Sequence, residues 1–181
     1  MTLRDLSQQF ASEGRIEAII LRPAHGEPAV IVDEARAEQG RGLLGDRRAN
    51  VVRSGRQSSK RELTLFQAEH LPIVADWCGL AELEPSRLRR NLVVSGLNLI
   101  GMRSPFPDVM LEWAVGEEVI IQVTGPCDPC SKMAAELGVG SYNALRGHCG
   151  MTARILSGGL IRVGDRVRLN AIQHVEGRRL G

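Results

Sequence analysis

Aromatic side chains are scarce in this chain: three Phe, two Trp and one Tyr among 181 residues. So few rings leave no stacking platform for unpaired bases. A surplus of charge is missing too, since 23 Lys and Arg stand against 21 Asp and Glu, a net charge of +2. A surface that tracks phosphates needs a clear excess of cations, so nucleic acid is not an expected partner. No apolar run approaches the ~18 residues of a membrane span, and the opening MTLRDLSQQFASEG has no apolar leader core. A cytoplasmic protein without a membrane segment is expected. Its four cysteines then belong in a reducing compartment, where ligand or catalytic roles are favoured over a disulfide framework.

Hydrophobic residues make up 43% of the chain. At this length one domain buries roughly 70% of its unfolded surface, so folding needs neither a structural metal nor disulfides. The recurrent pattern is short β-branched runs cut by Gly and Pro: RIEAIILRP, AVIVDEA, ELTLF, NLVVSG, VMLEW, EEVIIQVTG, MTARILSGG and IRVGDRVRLN. About eight such strands at this spacing predict a β-sandwich or barrel. Gly164-Asp165, between two apolar runs, predicts a hairpin. Helices are few. Leu71, Val74, Ala75 and Cys78 fall at helical spacing before Gly79, with Pro72 tolerable only in the first turn. LEPSRLRR predicts a short helical turn, and SKMAAELG another, with Ser131 as N-cap and Gly138 as the C-terminal stop. The polar, basic segment 40–60 reads as a long loop.

The chemistry concentrates in VTGPCDPCSKM, where Cys127 and Cys130 form a C-x-x-C in a Pro- and Gly-containing turn between a strand and a helix start. Cys78 reads as plain core. A thiol at a helix start lies near unpaired backbone N–H groups, which favours thiolate over thiol, and Lys132 adds positive charge. Three chemistries are open to the pair. Cys127, Cys130, Cys149 and His148 offer four ligand types for zinc, although the adjacent His148 and Cys149 need a special turn to reach one ion. A thioredoxin-like dithiol has the right local order of strand, C-x-P-C and helix, but needs βαβ alternation around it. A single thiolate can also serve as the one protein ligand of a thiophilic metal.

GRGLLGD, RELTLFQAEHL, LRRNLVVSGLNL, VTGPCDPCSKM and ILSGGLIRVGD, in this order, resemble the MOSC family, domains similar to the C-terminal part of molybdenum cofactor sulfurases. The resemblance runs from about Gly14 to Asn170. It divides the chain into an N-terminal extension, 1–13, a MOSC-like domain, 14–170, and a C-terminal tail, 171–181. It implies a closed or nearly closed β-barrel with a few peripheral helices, and binding of the molybdenum–pterin cofactor (Moco). The family's metal-binding cysteine corresponds to Cys130, with Cys127 as a neighbouring thiol. Arg89 and Asn91 in LRRN are the implied contacts to the cofactor's phosphate or pterin edge, joined by Asp46 of the Gly-Asp turn and by Lys132. Arg47 and Arg48 follow that turn, where family members often carry His.

The activity implied is molybdenum-dependent reduction of N-hydroxylated compounds, of the hydroxylaminopurine or amidoxime type. No haem, iron–sulfur or dinucleotide signature is present, so an external reductase is expected to supply electrons. Two alternatives stand beside this reading: a carrier of Moco or of persulfide sulfur, and a zinc-stapled binding barrel. Asp46, Asp128 and His148 are equal candidates for a proton donor.

Overall fold

The structure, a computed structural model, describes residues 1–50 and 59–175. In chain order it comprises α1 (Leu3–Leu6), β1 (Gly14–Leu21), β2 (Val30–Val32), β3 (Glu34–Glu38), β4 (Gly42–Leu43), β5 (Leu63–Gln67) and α2 (His70–Trp77). A 3-10 turn (Pro85–Leu88), β6 (Leu92–Ser95), β7 (Val109–Val115) and β8 (Val119–Pro126) follow. The chain continues through α3 (Ser131–Leu137), α4 (Ser141–Leu145), β9 (Met151–Ser157), β10 (Gly159–Arg162) and β11 (Arg166–His174).

Seven strands close on themselves in the order β11-β7-β8-β9-β5-β6-β1, because the start of β1 pairs back onto β11 at Gly14↔Val167 and Arg15↔Arg166. The fold is therefore a closed β-barrel, as the strand spacing predicts. β2 continues the sheet beyond β1, and β10-β3-β4 form a small second sheet. Alternating side chains on β7 and β8 fill the interior, where Leu65, Leu92, Trp113, Ile121 and Ile155 are at most 1% exposed. The Trp113 indole N–H donates to the Met102 carbonyl at 2.9 Å, giving its one polar atom a partner.

β5 explains the helical layer. Leu63 and Leu65 face the barrel, while Phe66 points the other way into a separate cluster with Val74, Leu88, Met133, Leu137 and Leu145. Both faces of LTLFQ are thus covered. β5 and β6 are the parallel pair, which requires a crossover, and α2 with the 3-10 turn supplies it. Pro72 lies in the first turn of α2, where its missing N–H costs nothing. Cys78 is half-buried against the same cluster, and burial pushes its thiol up.

Several sequence expectations change. Cys130, not Ser131, is the N-cap of α3, and Gly138 ends that helix at φ 94°. α4 is a helix that the sequence pattern does not announce. Segment 40–60 opens with β4, followed by a turn in which Asp46 is 1% exposed; residues 51–58 lie outside the described residues. β11 runs to His174, beyond the barrel edge expected at 170, and 176–181 lie outside the described residues. No described helix is long and apolar enough to cross a membrane.

Candidate functional site

At one end of the barrel the antiparallel pair β8–β9 opens at Pro126↔Met151, and residues 127–150 form an excursion carrying α3 and α4. The cysteine turn, 127–130, begins it. Cys127 donates its N–H to the Gly150 carbonyl at 2.8 Å and is buried, whereas Cys130 is exposed. Gly150 has φ +84°, and a Cβ there would run into the Leu65 carbonyl, so glycine is required where the excursion returns to the barrel.

Arg90 ties the turn down from below. Its guanidinium donates to the Asp128 carbonyl at 3.2 Å, to the Cys149 carbonyl at 2.8 Å and to Cys149 Sγ at 2.8 Å. Burial pushes the Cys149 thiol up to about 11 against the pull of Arg90, so it stays a neutral thiol at pH 7. The His148 ring packs edge-on against His70 (4.8 Å between centroids) and Trp77 (5.0 Å). Among the described residues no three His, Cys, Asp or Glu side chains converge as a metal site. Cys127, Cys130, Cys149 and His148, the four ligand types offered for zinc, are thus not gathered as one site among the described residues. The dithiol reading falls on context, since the strands on either side of the excursion are antiparallel.

The LRRN segment divides its side chains. Arg89 adopts φ 56°, ψ 31°, and is the one non-glycine residue with positive φ among the described residues. That left-handed step between the 3-10 turn and β6 leaves Arg89 half-buried on a cavity wall, while Arg90 and Asn91 are buried. Asn91 Oδ1 accepts from the Thr64 N–H (3.2 Å) and hydroxyl (2.9 Å), and its Nδ2 donates to Asp46 (3.2 Å) and to the Ile20 carbonyl (3.4 Å). Asp46 also accepts from Arg22 Nε at 2.9 Å and from the Arg22 N–H at 3.2 Å. Asn91 and Asp46 thus stand together in the interior, behind Arg22.

In front of them lies a cavity of about 530 Å3 lined by Arg22, Arg47, Arg87, Arg89, Lys132 and His25, with Glu27 and Glu136 the carboxylates on its wall. Glu136 is engaged by Arg87 at 3.2 Å. Lys132 Nζ lies 3.0 Å from His25 Nε2, and because an ammonium has only donors, that nitrogen accepts. Arg22 donates through Nη1 to the Arg89 carbonyl (3.1 Å), yet its Nη2 is buried without a partner. The cavity is built to receive an anion. Of the residues singled out in the sequence, Arg89 and Lys132 line it, and Cys130 lies two residues before Lys132. Arg22, His25 and Arg87 carry no motif and escape sequence reading as site residues, and Arg47 enters it only as the residue after Gly45-Asp46; the end of β1, the turn after β4 and the 3-10 turn bring them together.

The sequence profile of the MOSC domain matches residues 28–168, more than half of the chain. The chain belongs to the MOSC domain family. That family is linked to binding of the molybdenum cofactor. No curated protein matches. Among solved structures the chain is similar to the YuaD protein of Bacillus subtilis, with TM-score 0.68 and 16% identity, covering 91% of this chain and 98% of that one. It is also similar to YiiM of Geobacillus stearothermophilus (TM-score 0.64, 19% identity, 87% and 75% covered). YiiM of Escherichia coli gives TM-score 0.62 at 20% identity, over 87% and 70% of the two chains. At such identities these likenesses concern the MOSC fold.

Proposed function

We propose that the basic cavity holds Moco, with Cys130 as the protein's ligand to molybdenum, and that the protein reduces N-hydroxylated compounds with electrons from an external reductase. The observation that carries this reading is the cavity itself. Guanidinium and ammonium groups outnumber carboxylates on its wall, Arg22 Nη2 is an unpartnered buried donor there, and the exposed thiol of Cys130 precedes the wall residue Lys132 by two positions.

The residues present fit the cofactor. A soft thiolate suits a thiophilic metal, and one is enough when a dithiolene supplies the others. Arg89, Arg47 and Lys132 present donors for a phosphate and a pterin edge, with planar forks at the two arginines. Asn91 and Asp46 act as positioning residues: their polar atoms are engaged inside, and they hold Arg22 against the cavity. When bound, the cofactor supplies a two-electron redox centre. The Lys132 ammonium, hydrogen-bonded to His25 on the wall, is a donor within the cavity.

The test is metal content and turnover in protein purified anaerobically from a host that makes Moco. Molybdenum near one per chain is expected in the wild type and in Cys127→Ala, and none in Cys130→Ala. The molybdenum-loaded protein should reduce an N-hydroxylated base with an artificial reductant. Loading without turnover, with cofactor transferable to an apo-enzyme, would replace the enzyme reading with a carrier. Zinc without molybdenum would overturn both.

A further inference from the structure

A second cavity, of about 480 Å3, is lined by the first residues of the cysteine turn, whereas the basic cavity is lined by Lys132, two residues past the end of that turn. Pro126, Cys127 and Asp128 line it, and it shares no wall residue with the basic cavity. Its chemistry is different. Leu99, Ile100, Pro105 and Met151 make a mostly apolar wall, and Ile100 is 61% exposed although a large aliphatic side chain gains by burial. Gly147 also lines the cavity, and a Cβ there would meet nothing within 4 Å, so the backbone leaves open space.

Hydrogen-bond donors predominate among its polar groups. Arg103 has no side-chain hydrogen bond or ion pair among the described residues, although it lies on the cavity wall. Ser104 Oγ accepts from the Phe106 N–H at 3.0 Å, which leaves the hydroxyl proton to donate. Gln67 accepts from the Leu99 N–H through Oε1 at 3.1 Å, which leaves its amide NH2. Asp128, the carboxylate on the lining, belongs to the cysteine turn, whereas Arg103 and Ser104 belong to the loop between β6 and β7. Burial first, and His148 second, hold His70 below its ordinary value. It adds a neutral ring at pH 7.

We propose that this second cavity is a binding site for a small apolar monocarboxylate, with Arg103 and Ser104 taking the carboxylate and the Leu99–Ile100–Met151 wall taking its apolar body. One guanidinium and one hydroxyl, from consecutive residues that both line the cavity, match a monoanion. A phosphate dianion finds more cations in the basic cavity. The site does not depend on the cofactor reading, because none of its donors lines the basic cavity.

The experiment is calorimetric titration of the full chain with 2-naphthoate and with 2-naphthamide, in phosphate-free buffer and again with inorganic phosphate present. One site for the acid is expected, with the amide about tenfold weaker or worse, the scale of one charge-assisted contact. Arg103→Leu should weaken the acid by at least about tenfold, and Arg47→Leu by less than about twofold. Phosphate should leave acid binding in place. Equal binding of acid and amide would overturn the proposal. So would insensitivity to Arg103→Leu, loss with Arg47→Leu, displacement by phosphate, or no binding at millimolar acid. Unfolding midpoints of both variants, expected to match wild type, separate loss of binding from loss of fold.

Discussion

Arg89 and Arg90 are neighbours of the same type, and the structure uses them in opposite ways. Arg90 is 6% exposed, and its donors go to Cys149 and the Asp128 carbonyl. Arg89 lines the basic cavity through a left-handed backbone step that costs about 1 kcal/mol or more in a residue with a Cβ. The same division runs through the whole site. Behind the cavity wall, Asp46, Asn91, Thr64 and Arg22 form a buried network. In front of it, Arg47 and Arg89 line the cavity, with Arg87 on Glu136 and Lys132 on His25 beside them. The interior network fixes where the charge is presented, and the wall presents it.

Breaking the interior side should give the largest effect. Asp46→Ala removes the acceptor of Arg22 and of the Asn91 amide together, leaving a guanidinium 11% exposed without its carboxylate. Removing one partner of such a buried pair costs about 3–5 kcal/mol. The urea midpoint should fall accordingly with an unchanged slope. A loss under about 1 kcal/mol would mean that water replaces the carboxylate and that the network does not position Arg22.

The second test compares the two arginines directly. Arg90→Met leaves the Asp128 and Cys149 carbonyls short of a donor, at about 1–3 kcal/mol. Amide exchange at 127–130 should quicken, because the turn loses its tie to Arg90. Arg89→Gly should do the reverse. Glycine takes φ 56° freely, so stability should hold or rise by about 0.5–1 kcal/mol, while molybdenum loading falls. If both variants lost stability equally, the division between support and presentation would be wrong.

That division is also where the sequence stops being legible. The barrel could be read because alternation on β7 and β8 is a local property of the chain. β5 resists the same reading: LTLFQ has apolar residues on both faces, and only the helical layer explains Phe66. α4 is five residues long, with Gly140 at φ 88° before it and Ser141 Oγ bonded to the Gly138 carbonyl, too short for any periodicity. Cys130 could be singled out because Pro, Gly and a helix start surround it within a few residues. The fates of Arg89, Arg90 and Asn91 could not, since they depend on one backbone dihedral and on Cys149 and Thr64 far along the chain. The family resemblance marked Asn91 and Asp46 as belonging to the site, and the structure shows both behind its wall.

The smallest expected effect concerns the imidazole pair above the cysteine turn. His70 and His148 meet at 4.8 Å between centroids, and the Nδ1 atom of each is buried without a partner. Burial first, then His148, hold His70 below its ordinary value of 6.5. The folded value is thus lower than the unfolded one, and the unfolded chain takes up the proton first. The contribution of the neutral ring to stability is whole above about 6.5 and is lost progressively as pH falls below that value and through the lower folded one. The unfolding temperature should therefore decline from pH 7 to pH 5, more gently in His70→Phe than in wild type. Trp77 touches His148 and is half-exposed, whereas Trp113 is buried in the barrel, so tryptophan emission in Trp113→Phe isolates the local event. A pH-dependent change at Trp77 that precedes global unfolding would place the loosening at the 146–150 return of the excursion. If emission changes only with global unfolding, the histidine pair is tied to the stability of the whole fold.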